Sequence, residues 1–217
     1  MKEAKKLNSD NSGHSPYIFI CVPLWHEEEI EMELMMRSLY RMIEHQKKNP
    51  ESYELEVHVF FDTPFETRFE DNDEFKITND WVNCFINVLQ KVLEQNGKAD
   101  CWKTGQVFPT PYGGKIFFDI LGTEFTIHLK DPEKVKRGKR WSQIMYMYYL
   151  CDWKLGRMTN SKGQNLTKEN SFILALDGDV DFFPIDFELV LARMNATPDA
   201  GACCNQISPN GSGPLVW

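Results

Sequence analysis

Apolar residues first gather in "YIFICVPLW", residues 17–25, directly after a polar start, and this run predicts a buried strand that opens into a loop at Pro23. In "EEEIEMELMMRSLYRMIEHQKK", residues 27–48, Ile30, Leu34, Leu39, Met42 and Ile43 recur at helical spacing. Acids fill its first turn and bases its last, as the helix dipole favours, and Asn49-Pro50 stops it. "YELEVHVFF", residues 53–61, alternates instead. Leu55, Val57, Val59 and Phe61 share one face of a predicted strand, and Asp62 stands at its end. A loop of mixed charge leads to Asn79, a predicted cap for the helix "DWVNCFINVLQKVLEQ", whose stripe of Val82, Phe85, Ile86, Leu89 and Leu93 ends at Gly97.

The pattern then changes. "PTPYGGKIFFDILGTEFTIHLKD" holds two β-rich runs about Leu121-Gly122, which predicts a hairpin. A helix is predicted in "KRWSQIMYMYYLCDWKL", followed by a polar loop and the strand "SFILAL", whose near-continuous apolar run fits a sheet covered on both faces. Pro184 opens the helix "PIDFELVLARMNA", and "GACCNQI" reads as one more strand. Strands alternating with helices predict an α/β fold, an open and mostly parallel sheet with helices on both sides. Ligands bind such folds at the carboxyl ends of the strands. Three features fall there: Pro23 to Glu27, Asp62, and Asp177 to Asp181.

Composition narrows the partners. Of the 217 residues 42% are hydrophobic, enough for a packed core beyond the polar leader of residues 1–16, which is expected to be flexible. A net charge of -8 argues against nucleic acid, because binding its backbone requires a basic surface to displace counterions. The six cysteines form no CxxC pair and are expected to be free, buried thiols in a reducing cytosol. No apolar run approaches the length of about 20 residues that spans a bilayer, and no signal peptide is visible. Three Asn-x-Ser/Thr matches, at Asn165, Asn195 and Asn210, are expected to be chance matches to a short pattern.

"LDGDVDFF" places three aspartates at alternate positions behind a buried strand. Asp177, Asp179, Asp181 and Glu188 match positions one, three, five and twelve of an EF-hand, but Phe182 stands where that loop needs glycine. A solvated acidic turn is a second reading. A third is a DxD site in which Asp177 and Asp179 hold Mg²⁺ or Mn²⁺ against a nucleotide diphosphate, with Gly178 allowing close backbone approach. "WHEEE" is no zinc helix, since HExxH would need histidine at Ile30; His26 is either a loop histidine or part of a pocket lining. "KVKRGKRWSQ", residues 134–143, is the one dense basic run and opens a helix. It reads as a solvated face or as a diphosphate clamp of basic side chains and helix N-terminal amides.

"CVPLWHE", "YELEVHVFFD", "PTPYGGK", "KRGKRWSQIMYMYYL", "LALDGDVDF" and "NGSGPLVW" together resemble, in order and nearly in wording, the catalytic domain of animal-type chitin synthases. These are family 2 processive glycosyltransferases related to hyaluronan and cellulose synthases. The resemblance runs from about Tyr17 onward. It implies a GT-A (Rossmann-like) fold over residues 17–217 and inverting, metal-dependent transfer of N-acetylglucosamine from UDP-GlcNAc to a chitin oligomer. Carried over by position, Pro23, Trp25, Glu27 and Asp62 would cradle uridine, Lys139 and Arg140 would meet the diphosphate, and Asp177 and Asp179 would serve metal and donor. Asp181 is expected only to support their loop. Ser212, Gly213 and Pro214 would face the acceptor.

In this family the base is an aspartate in a Glu-Asp motif downstream of the SGP block. A Gln-x-x-Arg-Trp motif and membrane helices forming an export channel follow it. None of these occurs after Leu215 here, so the chain is expected to be the donor-binding half, a fragment or truncated product inactive alone. Its parent would work at the cytosolic face of the plasma membrane. The alternatives are another polysaccharide synthase of the superfamily and a non-catalytic calcium- or partner-binding module.

Overall fold

The computed structural model describes residues 15–70, 73–197 and 199–204. In chain order its strands are β1 (Tyr17–Leu24), β2 (Glu54–Asp62), β3 (Phe65–Glu70), β4 (Asp73–Thr78), β5 (Gln106–Thr110), β6 (Gly113–Ile120), β7 (Thr123–Lys130) and β8 (Ser171–Ala175). The α-helices are α1 (Glu29–Lys48), α2 (Asp80–Gln95), α3 (Lys139–Met147) and α4 (Pro184–Ala196). Six strands form one sheet in the order β5-β6-β7-β2-β1-β8. β7, β2, β1 and β8 are parallel neighbours, and β6 is the strand that runs against the rest. The α/β class, the mostly parallel sheet and the helices on both faces are as the sequence predicts, and they are what a GT-A fold requires.

The two faces differ in chemistry. On one, Ile18, Ile20, Val22 and Leu24 of β1 and Leu55, Val57, Val59 and Phe61 of β2 pack against the apolar stripes of α1, α2 and α4. On the other, Tyr17, Phe19, Cys21 and Phe60 pack on Tyr146 and Leu150, from α3 and the helical segment that continues it. Asn79 caps α2 through a hydrogen bond from the Val82 amide at 3.1 Å, the predicted cap. The turn between β6 and β7 places Leu121 at φ 57° and Gly122 at φ 81°, the paired positive angles of a two-residue hairpin turn.

Four expectations need correction. The mixed-charge segment after Asp62 is no loop but a separate antiparallel hairpin, β3 with β4, whose residues are mostly exposed. Water reaches both of its faces, so no hydrophobic alternation marked it. β8 is not covered on both sides: among the described residues it is an edge strand, its side chains partly exposed along a groove of about 530 Å³ shared with α4 and residues 200–203. Residues 201–204 form no strand, and the rest of "GACCNQI" lies outside the described residues. The cysteines are free, but Cys21 alone is fully buried, while Cys151, Cys203 and Cys204 are exposed.

Candidate functional site

The carboxyl ends of β1, β2 and β8 lie side by side in the sheet, and each delivers one of the predicted features. At β1, Pro23 and Leu24 are buried and Trp25 emerges at 58% exposure. The helix expected from Glu27 begins at Glu29, because Glu27 folds back to accept the Trp25 amide at 2.6 Å. A Cβ on buried Gly178 would collide with Leu24 Cδ2 and lie 2.9 Å from Glu27 Cγ. The glycine between the aspartates therefore does allow close approach, and what it approaches is the loop after β1. His26 stacks between Trp25, at 4.4 Å and 12°, and Trp81, at 4.8 Å and 23°. Trp81 lies off the apolar stripe of α2, which is why periodicity gave it no role.

At β2, both oxygens of Asp62 are engaged: Lys130 Nζ donates to Oδ1 at 2.7 Å and the Gly138 amide to Oδ2 at 2.5 Å. A carboxylate offers about four lone-pair sites, so capacity for a ligand remains. Lys130 also donates to Ser142 Oγ at 2.8 Å, which ties the end of β2 to the first turn of α3. Gly138, at φ 110°, is the residue before that helix, a conformation other residues resist. Lys139 and Arg140 follow and are exposed.

The three aspartates separate. Lys139 Nζ lies 2.5 Å from Asp177 Oδ1, and Asp177 and Asp179 both face solvent. Asp181 turns away to accept hydrogen bonds from Ser38 Oγ, at 2.8 Å, and from Arg41 on α1, so it anchors the turn. Glu188 sits on α4, 3.7 Å from His45. An EF-hand set is thus not assembled. Two exposed carboxylates on one turn, one already drawing an ammonium group, do fit a hard divalent cation, which takes one or two carboxylates and completes its shell with phosphate and water oxygens.

A buried polar network lies under the sheet, and sequence reasoning missed it. Glu56 accepts from Tyr17 Oη at 3.0 Å, from Lys154 Nζ, and pairs with His58 Nε2 at 2.7 Å. His58 Nδ1 meets His128 Nε2 at 3.0 Å, and His128 Nδ1 meets Tyr112 Oη at 2.6 Å. Burial alone would raise the Glu56 carboxyl, but His58 and Lys154 hold it below its ordinary value. Burial, reinforced by the charge of His58, keeps His128 well below the usual histidine range. Burial pushes the Tyr112 phenol up to about 12. Glu56, His58 and Glu124 bring ligand atoms within 4.8 Å of one another, as a metal would ask. The place of a cation there is taken: Lys154, 3% exposed, sits on Glu56 and 3.7 Å from Glu124.

Chitin synthase chs-2 of Caenorhabditis elegans is 36% identical over 92% of this chain, and chitin synthase chs-1 of the same organism is 35% identical over 98% of it. A chitin synthase of Meloidogyne artiellia is 35% identical over 92% of the chain. The chain is similar to one segment of these chitin synthases. It spans 13%, 17% and 11% of the length of these relatives, in that order. No family model matches the sequence, and no solved structure matches the fold. Ser212, Gly213 and Pro214 of the chitin-synthase-like sequence lie outside the described residues. Among the described residues no helix is long and apolar enough to cross a membrane.

Proposed function

We propose that this chain is the donor-binding part of a chitin synthase, taking UDP-N-acetylglucosamine together with Mg²⁺ or Mn²⁺. Pro23, Trp25, Glu27 and Asp62 hold the uridine end, Lys139 and Arg140 meet the diphosphate, and Asp177 and Asp179 hold the cation. The observation that carries this reading is the Lys139–Asp177 contact at 2.5 Å, where the basic start of α3 meets the acidic turn after β8. A diphosphate and its cation need a basic group and a carboxylate side by side, near enough to reach the same phosphate oxygens. When bound, the cation neutralises charge growing on the leaving diphosphate. The sugar passes with inversion to a chitin oligomer that Ser212, Gly213 and Pro214 face. In the parent synthase this donor site would work at the cytosolic face of the plasma membrane, beside the membrane channel.

Calorimetry of the folded 217-residue chain tests this reading. UDP is expected to bind with Mn²⁺ present, and both EDTA and Asp179→Ala are expected to remove the heat. A folded chain that takes up no UDP with Mn²⁺ present overturns it.

A further inference from the structure

β2 is tied to the helix beneath it at both ends, directly by the buried Glu56–Lys154 ion pair at one end and, at the other, by hydrogen bonds through Asp62 and its buried partner Lys130 of β7. Its polar face reads Glu56, His58, Phe60, Asp62. At the carboxyl end Asp62 holds Lys130 and the Gly138 amide, and Lys130 holds Ser142 in the first turn of α3. At the amino end Glu56 holds Lys154, which closes a π-helical segment, Tyr148–Lys154. α3 passes into that segment without a break, Met147 and Tyr148 both lying at φ -59° and ψ -47°. The spacings match. Glu56 to Asp62 covers about 20 Å of strand, and Ser142 to Lys154 covers about 18 Å of helix. The helix therefore lies antiparallel along β2, fixed at both ends.

Glu56 is 1% exposed and Lys154 3%. Burying such a pair costs stability that apolar residues of the same size would not, so packing does not explain it. What the pair does provide is a fixed end point, and the wider π turn lets Lys154 point into the sheet. We propose that Lys154 is a positioning residue: by anchoring on Glu56 it sets where α3 lies along β2 and so holds Lys139 over Asp177. The inference rests on the donor site proposed above, with Lys139 at the diphosphate.

The test compares UDP with uridine. Lys154→Met alone strands a buried carboxylate and risks unfolding, so Glu56→Gln/Lys154→Met, which removes both charges, is made beside it. Binding of each ligand is measured with Mn²⁺ by calorimetry, and amide exchange is followed over residues 139–147. The double variant is expected to melt cooperatively, to bind uridine within twofold of wild type, and to lose about tenfold in UDP affinity, the worth of one ionic contact. Exchange over 139–147 is expected to quicken while that of α1 does not. Unchanged UDP affinity in the folded variant overturns the proposal, and so does equal loss of uridine and UDP, which marks a general structural role. If wild type binds neither ligand, the donor reading fails. Exchange then decides the anchor alone: wild-type rates over 139–147 in the variant overturn it.

Discussion

Lowering the pH through the histidine range is expected to destabilise this protein, and His128 is the reason. Its ring lies between Tyr112 Oη, at 2.6 Å, and His58 Nδ1, at 3.0 Å, stacked on Phe60 at 4.2 Å, where burial holds it well below the usual histidine value. An unfolded histidine titrates near about 6.5. As pH falls below that value the unfolded chain takes up a proton that the native ring refuses, so stability is present above about 6.5 and declines below it. For one such group the loss between pH 7.5 and 5.5 is about 1.4 kcal/mol, or roughly 3 to 5 °C in Tm for a chain of this length. The lowered carboxyl of Glu56 acts in a separate window: its contribution is present above the unfolded value near about 4.3 and is lost only as pH falls further. Thermal melts at pH 7.5, 6.5 and 5.5 and constant ionic strength measure the slope. His128→Gln, which keeps a donor and an acceptor for its neighbours, is expected to lower Tm at pH 7.5 yet cut the slope by at least about half. A variant that loses as many degrees as wild type over this range refutes the assignment to His128.

Gly178→Ala sets a methyl against Leu24 and Glu27; it is expected to cost about 1 to 3 kcal/mol and to weaken UDP binding, and a variant with wild-type melting shows that the two loops do not pack as described. Asp181→Asn removes the carboxylate from Ser38 and Arg41, with an expected loss of about 1 to 2 kcal/mol by thermal melt. Its Mn²⁺ affinity is expected to stay within twofold; a larger fall would make Asp181 a metal ligand. Lys139→Ala is expected to leave Tm nearly unchanged, because both partners of its ion pair are exposed, while weakening UDP about tenfold. The same variant frees Asp177, so Mn²⁺ without nucleotide is expected to bind at least as tightly as in wild type, and a weaker metal titration would contradict the pairing.

The elements that punctuation marks were legible in the sequence. The Asn79 cap, the Leu121-Gly122 turn and the start of α4 at Pro184 fall where local chemistry put them, because each depends on a few adjacent residues. β3, β4 and β5 were not legible. The first two bury neither face, and Pro109 in β5 argues against a strand except at an edge, where β5 lies. At the site, the carboxyl-end features were legible and their partners were not. Alternation in "YELEVHVFF" shows that β2 has two unlike faces, but it cannot say whether Glu56 and His58 meet water or one another. That depended on Lys154, nearly a hundred residues away, and on β7 bringing His128 alongside. Trp81 was hidden for a similar reason, since its stacking partner His26 lies far off in the sequence, in the loop after β1.

The contrast between buried and exposed pairs separates what must hold still from what must exchange. Asp62–Lys130 and Glu56–Lys154 are nearly sealed, with side chains 1% to 9% exposed. Removing one partner of such a pair costs about 3 to 5 kcal/mol, so these contacts do not open while a ligand comes and goes. Lys139–Asp177 is different: its side chains are 43% and 62% exposed, and a pair of that kind is worth about 0 to 1 kcal/mol. In the proposed donor site, a cation arriving at Asp177 and a phosphate arriving at Lys139 would therefore displace almost nothing. Both partners keep a new counter-charge, and the helix that carries Lys139 stays pinned beneath β2. The same acidic and basic residue types thus form a sealed frame or an open contact according to burial. The three aspartates after β8 are all exposed and are told apart by their partners, Ser38 and Arg41 holding Asp181, which motif matching could not supply.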